Sequence, residues 1–257
     1  MASSDPTSSD VGPALTRETA LDIAHRVLRA RYPQAACAVA AGSGVRGEGR
    51  PRSDVDLVVV FPTVARAVRE SFVFDAVPVE AFVYDRSSLR WFFHNDAANG
   101  APSILSMVAE GVAIGDPAVA ASLKAEADAL LAAGPPPLAP DALARLRYEI
   151  GETLDDLRDD RPAPERMAAG VALYVKLGAL ALRRRGAWTG VGKWLPRRLA
   201  AADPALAATF AAAFAHLFRD GDPAAALRLA EDELAAVGGA LFAGYRVEAD
   251  ASWRVEG

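Results

Sequence analysis

Two carboxylates, Asp54 and Asp56, stand two residues apart at the head of the apolar run Leu57-Val58-Val59-Val60-Phe61. Side chains on a strand alternate with period two, so both carboxylates point to one face. A run this apolar predicts a buried strand, where adjacent carboxylates repel each other and lose hydration. Something positive belongs between them. A hard divalent cation with oxygen ligands, Mg2+, is the natural candidate. Glu80 supplies a third carboxylate, in the middle of the β-rich run 77–84 and flanked by Val79 and Ala81. A charge so placed is either at an exposed edge or recruited to a site.

The elements around these residues follow from pattern. Thr16 predicts an N-cap, with Glu18 in the first turn and Leu21, Ile23, Ala24, Val27 and Leu28 on one apolar face ending before Pro33. A short strand over 35–41 breaks at Gly42-Ser43. The loop 44–53 then carries three glycines with Arg46, Arg50 and Arg52, and leads into the Asp54 strand. A helical or irregular connection is expected over 64–70. Beyond it, β-rich runs 71–75 and 77–84 meet at Asp75-Ala76 as a hairpin. Ser87 or Ser88 is expected to cap a helix carrying Trp91, Phe92 and Phe93, read as core residues. Helices over 103–110 and 117–133 flank a short return to the sheet at 112–115. Asp75 and Asp85 read as turn residues.

Gly134-Pro-Pro-Pro-Leu-Ala-Pro140 is the clearest boundary, because three consecutive prolines fit neither a helix interior nor a central strand. The division expected is a tail over 1–13, an α/β module over 14–134 and a helical bundle over 141–257. Helices are expected over about 141–160, 164–185, 194–202, 204–218 and 223–243, with Leu143, Leu146, Ile150, Leu154 and Leu157 turned inward. The fold class is a mixed α/β (α+β) sheet with flanking helices, followed by an all-α bundle.

Composition narrows the function. Lys and Arg number 28 against 33 Asp and Glu, a net charge of −5, so no global basic field exists to hold a nucleic-acid backbone. Residues 1–13 lack the apolar core of a signal peptide, and no apolar run approaches the ~18 residues of a membrane span. The single Cys37 lies among apolar neighbours and reads as an inert buried thiol. A soluble cytoplasmic protein is expected. His25, His94 and His216 are too dispersed for a ligand set and read as structural.

A Gly-Ser turn, ten residues, Asp-x-Asp on an apolar strand, then a Glu within a later strand: this order resembles the DNA-polymerase-β-type nucleotidyltransferase superfamily. The resemblance covers about 35–84. The helical second half is similar in layout to small-molecule nucleotidyltransferases, notably antibiotic adenylyltransferases. It implies Asp54, Asp56 and Glu80 as ligands of a two-ion Mg2+ site, the third carboxylate also favouring deprotonation of an acceptor hydroxyl. The co-substrate implied is ATP or another NTP, with an NMP passing to a small hydroxylated molecule and pyrophosphate leaving. Gly42 lets backbone approach a phosphate, and Ser43 adds a hydroxyl and an N–H. Arg46 and Arg52 are near enough in sequence to add charge.

Two stretches of the helical half add candidates. Gly190-Val-Gly-Lys193-Trp194 lies between Arg183, Arg184, Arg185 and Arg197, Arg198. Antibiotic nucleotidyltransferases use a Lys from the helical domain on the triphosphate, and the resemblance carries that role to Lys193. The other reading has Trp194 in the core and the arginines on a solvated face. Seven carboxylates lie over 149–165, with Glu149, Glu152 and Asp156 on one helix face. That face either binds a cationic, aminoglycoside-like acceptor, with Glu152 as general base, or is simply wet. The competing classes are a protein-modifying (AMPylating) or antitoxin-type nucleotidyltransferase and a non-catalytic nucleotide-binding regulator.

Overall fold

The computed structural model describes residues 14–253, and the tail expected over 1–13 lies outside them. The chain divides into two compact units, one ending at Gly134 and the other beginning at Pro135.

In the first unit, helix α1 (Arg17–Arg31) begins where Thr16 accepts a hydrogen bond from the Thr19 amide. Ala20, Ile23, Ala24 and Val27 form its buried face. Strands β1 (Cys37–Ala41), β2 (Val55–Phe61), β3 (Val68–Phe74), β4 (Val77–Asp85) and β5 (Val112–Gly115) make one mixed sheet in the order β3-β4-β2-β1-β5. Only β2 and β4 run parallel; the other pairs are antiparallel. Helices α2 (Arg86–Asn99), α3 (Ser103–Glu110) and α4 (Pro117–Ala133) complete the unit.

β2 is central and buried on both faces, as its near-continuous apolar run requires. Leu57 and Val59 join Ala38, Ala40, Ala81 and Val83 in the core under α1. The alternate residues Val58 and Val60 are buried too, on the side where Tyr84 packs against Phe92 of α2 at 4.8 Å between ring centroids. Each such apolar side chain contributes about 1.5–3 kcal/mol on burial. Cys37 is fully buried and burial pushes its thiol up to about 11, which makes it inert.

Four expectations change here. The connection over 64–70 is strand from Val68 onward, in register with β4 from Val68 opposite Val83 to Phe74 opposite Val77. Its outward Arg69 and exposed Val68 disguise the strand, because an edge needs no apolar outer face. The first helix after the sheet is capped by Asp85 rather than by Ser87 or Ser88. Asp85 accepts from the Ser88 amide at 2.8 Å while the Ser88 hydroxyl completes a reciprocal box. Asp54 precedes β2 instead of lying in it. Trp91 is exposed, and of the three neighbouring aromatics only Phe93 is fully buried.

The second unit is helical: α5 (Pro140–Arg158), α6 (Ala163–Arg183), α7 (Trp194–Ala202), α8 (Pro204–Asp220), α9 (Ala224–Ala235) and a 3-10 turn at Ala251–Trp253. Its core joins Ile150, Leu154 and Leu157 of α5 to Leu173, Leu177 and Leu180 of α6 and to Phe210, Phe214 and Leu217 of α8. Tyr174 meets Phe214 edge-on at 4.9 Å. α9 stops eight residues short of the expected end. Gly238 and Gly239 follow it at φ +97° and +78°, and Arg147 donates to both of their carbonyls.

Candidate active site

The central register assembles the site. Asp56 on β2 stands directly opposite Glu80 on the parallel neighbour β4 and opposite Ala41 on β1. Period two places Asp54 on the same side, one residue before the strand begins. Asp54, Asp56 and Glu80 each offer a carboxylate oxygen such that the three lie within 4.8 Å of one another.

Two further observations frame the triad. Chain direction reverses after β1 at Gly42, whose φ of +94° is open to glycine and strained for other residues. A Cβ at that position would stand 2.7 Å from Asp56 Oδ2, so the turn backbone lies against the carboxylate. From Gly42 the loop coils tightly, with the Arg46 amide donating to the Gly42 carbonyl at 3.2 Å and the Glu48 amide to Ser43 at 2.8 Å. Ser43 Oγ hydrogen-bonds Ser53 Oγ at 2.8 Å, and Ser53 Oγ also accepts from the Arg50 amide at 2.8 Å. These bonds staple the two ends of the arginine-bearing loop.

On the other flank, Glu80 Oε1 accepts from Arg69 Nε at 2.9 Å and from Ser71 Oγ at 3.2 Å, and lies 2.8 Å from Arg69 Nη2. Neither Arg69 nor Ser71 was singled out from the sequence. Arg69 lies in the stretch expected as a helical or irregular connection, so its place near the third carboxylate emerges only with the full length of β3, on which Ser71 lies opposite Glu80.

The remaining candidates are placed as follows. Arg46 is half-buried, with its Nε 3.6 Å from Glu48, and Arg52 is exposed in the turn before Asp54. Lys193 and Glu152 belong to the second unit. Lys193 is exposed at the start of α7 and Glu152 is exposed on α5, beside Tyr148. The Glu152 charge holds the Tyr148 phenol above its ordinary value. The arginines before Lys193, expected on a solvated face, have partners within the second unit. Arg183 is buried and donates to the Pro136 carbonyl at 2.7 Å, while Arg184 and Arg185 both bind buried Glu233. The acidic face of α5 is partly neutralised, since Glu149 pairs with Lys176 at 3.3 Å and Asp156 with Arg161 at 2.7 Å. The histidines at 25, 94 and 216 are exposed and dispersed.

Comparison with known families meets this geometry. Residues 21–95 match the nucleotidyltransferase domain family, a stretch running from α1 into α2 and including all three carboxylates and the Gly42 turn. Within the first unit, residues 21–95 thus resemble a nucleotidyltransferase domain. Among solved structures, the chain is similar to a nucleotidyltransferase-like protein from Exiguobacterium sibiricum 255-15, with 15% identity and a TM-score of 0.43, over 84% of this chain and 75% of that one. No curated protein matches the chain.

The activity of such a domain is transfer of a nucleotidyl group from an NTP, and the donor set suits the divalent metal these enzymes generally use. Three carboxylates offer only hard anionic oxygens, two from adjacent parallel strands and one from the residue just before β2, to one small volume. No helix among the described residues is long and apolar enough to cross a membrane.

Proposed function

We propose that the protein moves AMP from ATP to a hydroxyl of a small molecule and releases pyrophosphate. The observation that carries this reading is the convergence of Asp54, Asp56 and Glu80 beside the Gly42 turn. Asp54, Asp56 and Glu80 would hold Mg2+, as one ion or two, and the metal would neutralise phosphate charge and lower the pKa of the acceptor hydroxyl. The turn amides and the Ser43 hydroxyl bind the β- and γ-phosphates, with positive charge from Arg46 and Arg52 nearby. The acceptor oxygen bonds to the α-phosphorus as the bond to the β-phosphate oxygen breaks. The hydroxyl proton passes to a carboxylate base, for which Glu80 and Glu152 are the candidates.

Lys193 is assigned to the triphosphate. It is exposed beside two glycines, and makes no ion pair among the described residues. A cationic, aminoglycoside-like acceptor draws support from the carboxylates of α5, of which Glu152 stays exposed. The test is purified protein with Mg2+ and ATP labelled at the α-phosphate, screened against hydroxylated small molecules and against proteins. Label on a small molecule, lost with Asp54→Ala and Asp56→Ala in folded protein, is the expected result. Label on a polypeptide overturns the acceptor class, and undiminished transfer by both variants overturns the site.

A further inference from the structure

Glu80 stands between two strands of opposite chemistry. On one side β2 brings Asp56 and, just before the strand, Asp54. On the other, the edge strand β3 brings Ser71, directly opposite, and Arg69, two residues back on the same face. Arg69 Nε and Nη2 at 2.9 and 2.8 Å and Ser71 Oγ at 3.2 Å all converge on a single oxygen, Oε1. Among the described residues the other oxygen, Oε2, has no hydrogen-bond partner. Arg69 is 66% exposed, so burial does not force this pairing. Its guanidinium also rests on the Phe82 ring at 5.1 Å, which restricts where the head group can go.

We propose that Arg69 is the resident counter-ion of the carboxylate cluster: it ties down Glu80 Oε1, leaves Oε2 for the divalent cation, and through its charge limits how tightly that cation is held. The inference rests on the metal-site reading given above. Three clustered carboxylates carry three negative charges, and a guanidinium bound to one of them cancels a third of that charge. A divalent ion entering the cluster is repelled by the guanidinium at a separation of a few ångströms. Even with a solvent-like dielectric that repulsion exceeds the ordering Arg69 gives to one partly buried carboxylate. Removing the charge therefore tightens the cation, although the carboxylate loses its clamp. Arg69 is a positioning residue that sets occupancy as well as geometry, and Ser71 supplies orientation without charge.

Direct titration with Mn2+, followed by the paramagnetic signal of the free ion, tests this without an acceptor or a nucleotide. The wild-type protein is compared with Glu80→Gln, Arg69→Met, Arg69→Gln, Arg69→Lys and Ser71→Ala, each checked for an unchanged melting profile. If the metal reading holds, the wild type binds Mn2+ and Glu80→Gln weakens it by about tenfold. Given that, both neutral substitutions at Arg69 should bind Mn2+ about three- to tenfold more tightly than the wild type. Arg69→Lys, which keeps the charge, should stay within about twofold, and Ser71→Ala should bind no more tightly than the wild type. Neutral Arg69 variants that bind Mn2+ equally or more weakly overturn the counter-ion role while leaving the metal site standing. A wild type that does not bind Mn2+, or a Glu80→Gln variant that binds it equally well, overturns the metal reading itself.

Discussion

Gly42 is the residue at which backbone geometry and chemistry are most tightly joined. Its φ of +94° and the 2.7 Å between a built Cβ and Asp56 Oδ2 mean that alanine there both strains the turn and displaces the carboxylate. Gly47, five residues on, has φ +80° but nothing within 4 Å of a built Cβ. Gly47→Ala therefore bears only the backbone cost, about 1 kcal/mol. Gly42→Ala should match it in stability to within about 1 kcal/mol, yet lose nucleotidyl transfer at least about 100-fold. Thermal melts and label transfer on the two variants check this; equal activity in both would separate the turn from the site. The Asp54 and Asp56 pairing was legible in the sequence because period two follows directly from strand geometry. The Ser43–Ser53 staple and the Arg69 fork were not, since each depends on where a loop or an edge strand folds back.

Among the elements, the β3–β4 hairpin does the most to shape the site, because it aligns Glu80 with Asp56 and brings Arg69 to Glu80. Its turn places Asp75 and Ala76 at φ +48° and +65°. Arg26 of α1 binds the Asp75 carboxylate, which offsets part of the strain at that residue. Ala76 has no such compensation from its side chain. Ala76→Gly should stabilise the protein by about 0.5–1 kcal/mol with activity unchanged, read as a rise in Tm; a fall in Tm would mean that the turn is not strained at this residue. The hairpin turn was visible in the sequence, but the full length of β3 was not. Charged and exposed residues at the start of an edge strand carry no periodic apolar signal. Helix starts were read well where Thr16 or a proline marked them. The Asp85 cap escaped because an aspartate ending one element was beginning the next.

At the scale of the whole molecule, the proline-rich stretch after Gly134 separates a unit that holds the carboxylates from one held together by leucine, phenylalanine and a buried ion network. Burial alone would raise the Glu233 carboxyl, but hydrogen bonds and charge from Arg185 and Arg184 outweigh it and hold the group down at about 2. A folded-state value below the unfolded one means that stability is present above about pH 4.5 and is lost as pH falls toward 2. The second unit should accordingly lose on the order of 3 kcal/mol across that window. Glu233→Gln should flatten the acid dependence and lower stability at pH 7, because two partly buried arginines lose their partner. Circular-dichroism melts between pH 7 and 2.5 read both effects, and an unchanged acid slope in the variant would assign the loss to other groups. The arginine run that ends in Arg185 read as a solvated face beside Lys193, and its structural role appears only when α9 brings Glu233 to it. Crystals soaked with Mn2+ and a non-hydrolysable ATP analogue, imaged by anomalous scattering, test the carboxylate site most directly. The predicted result is a manganese peak within about 2.5 Å of carboxylate oxygens from Asp54, Asp56 and Glu80, with the triphosphate against Gly42 and Ser43. A manganese-bound nucleotide seated elsewhere on the protein would contradict it.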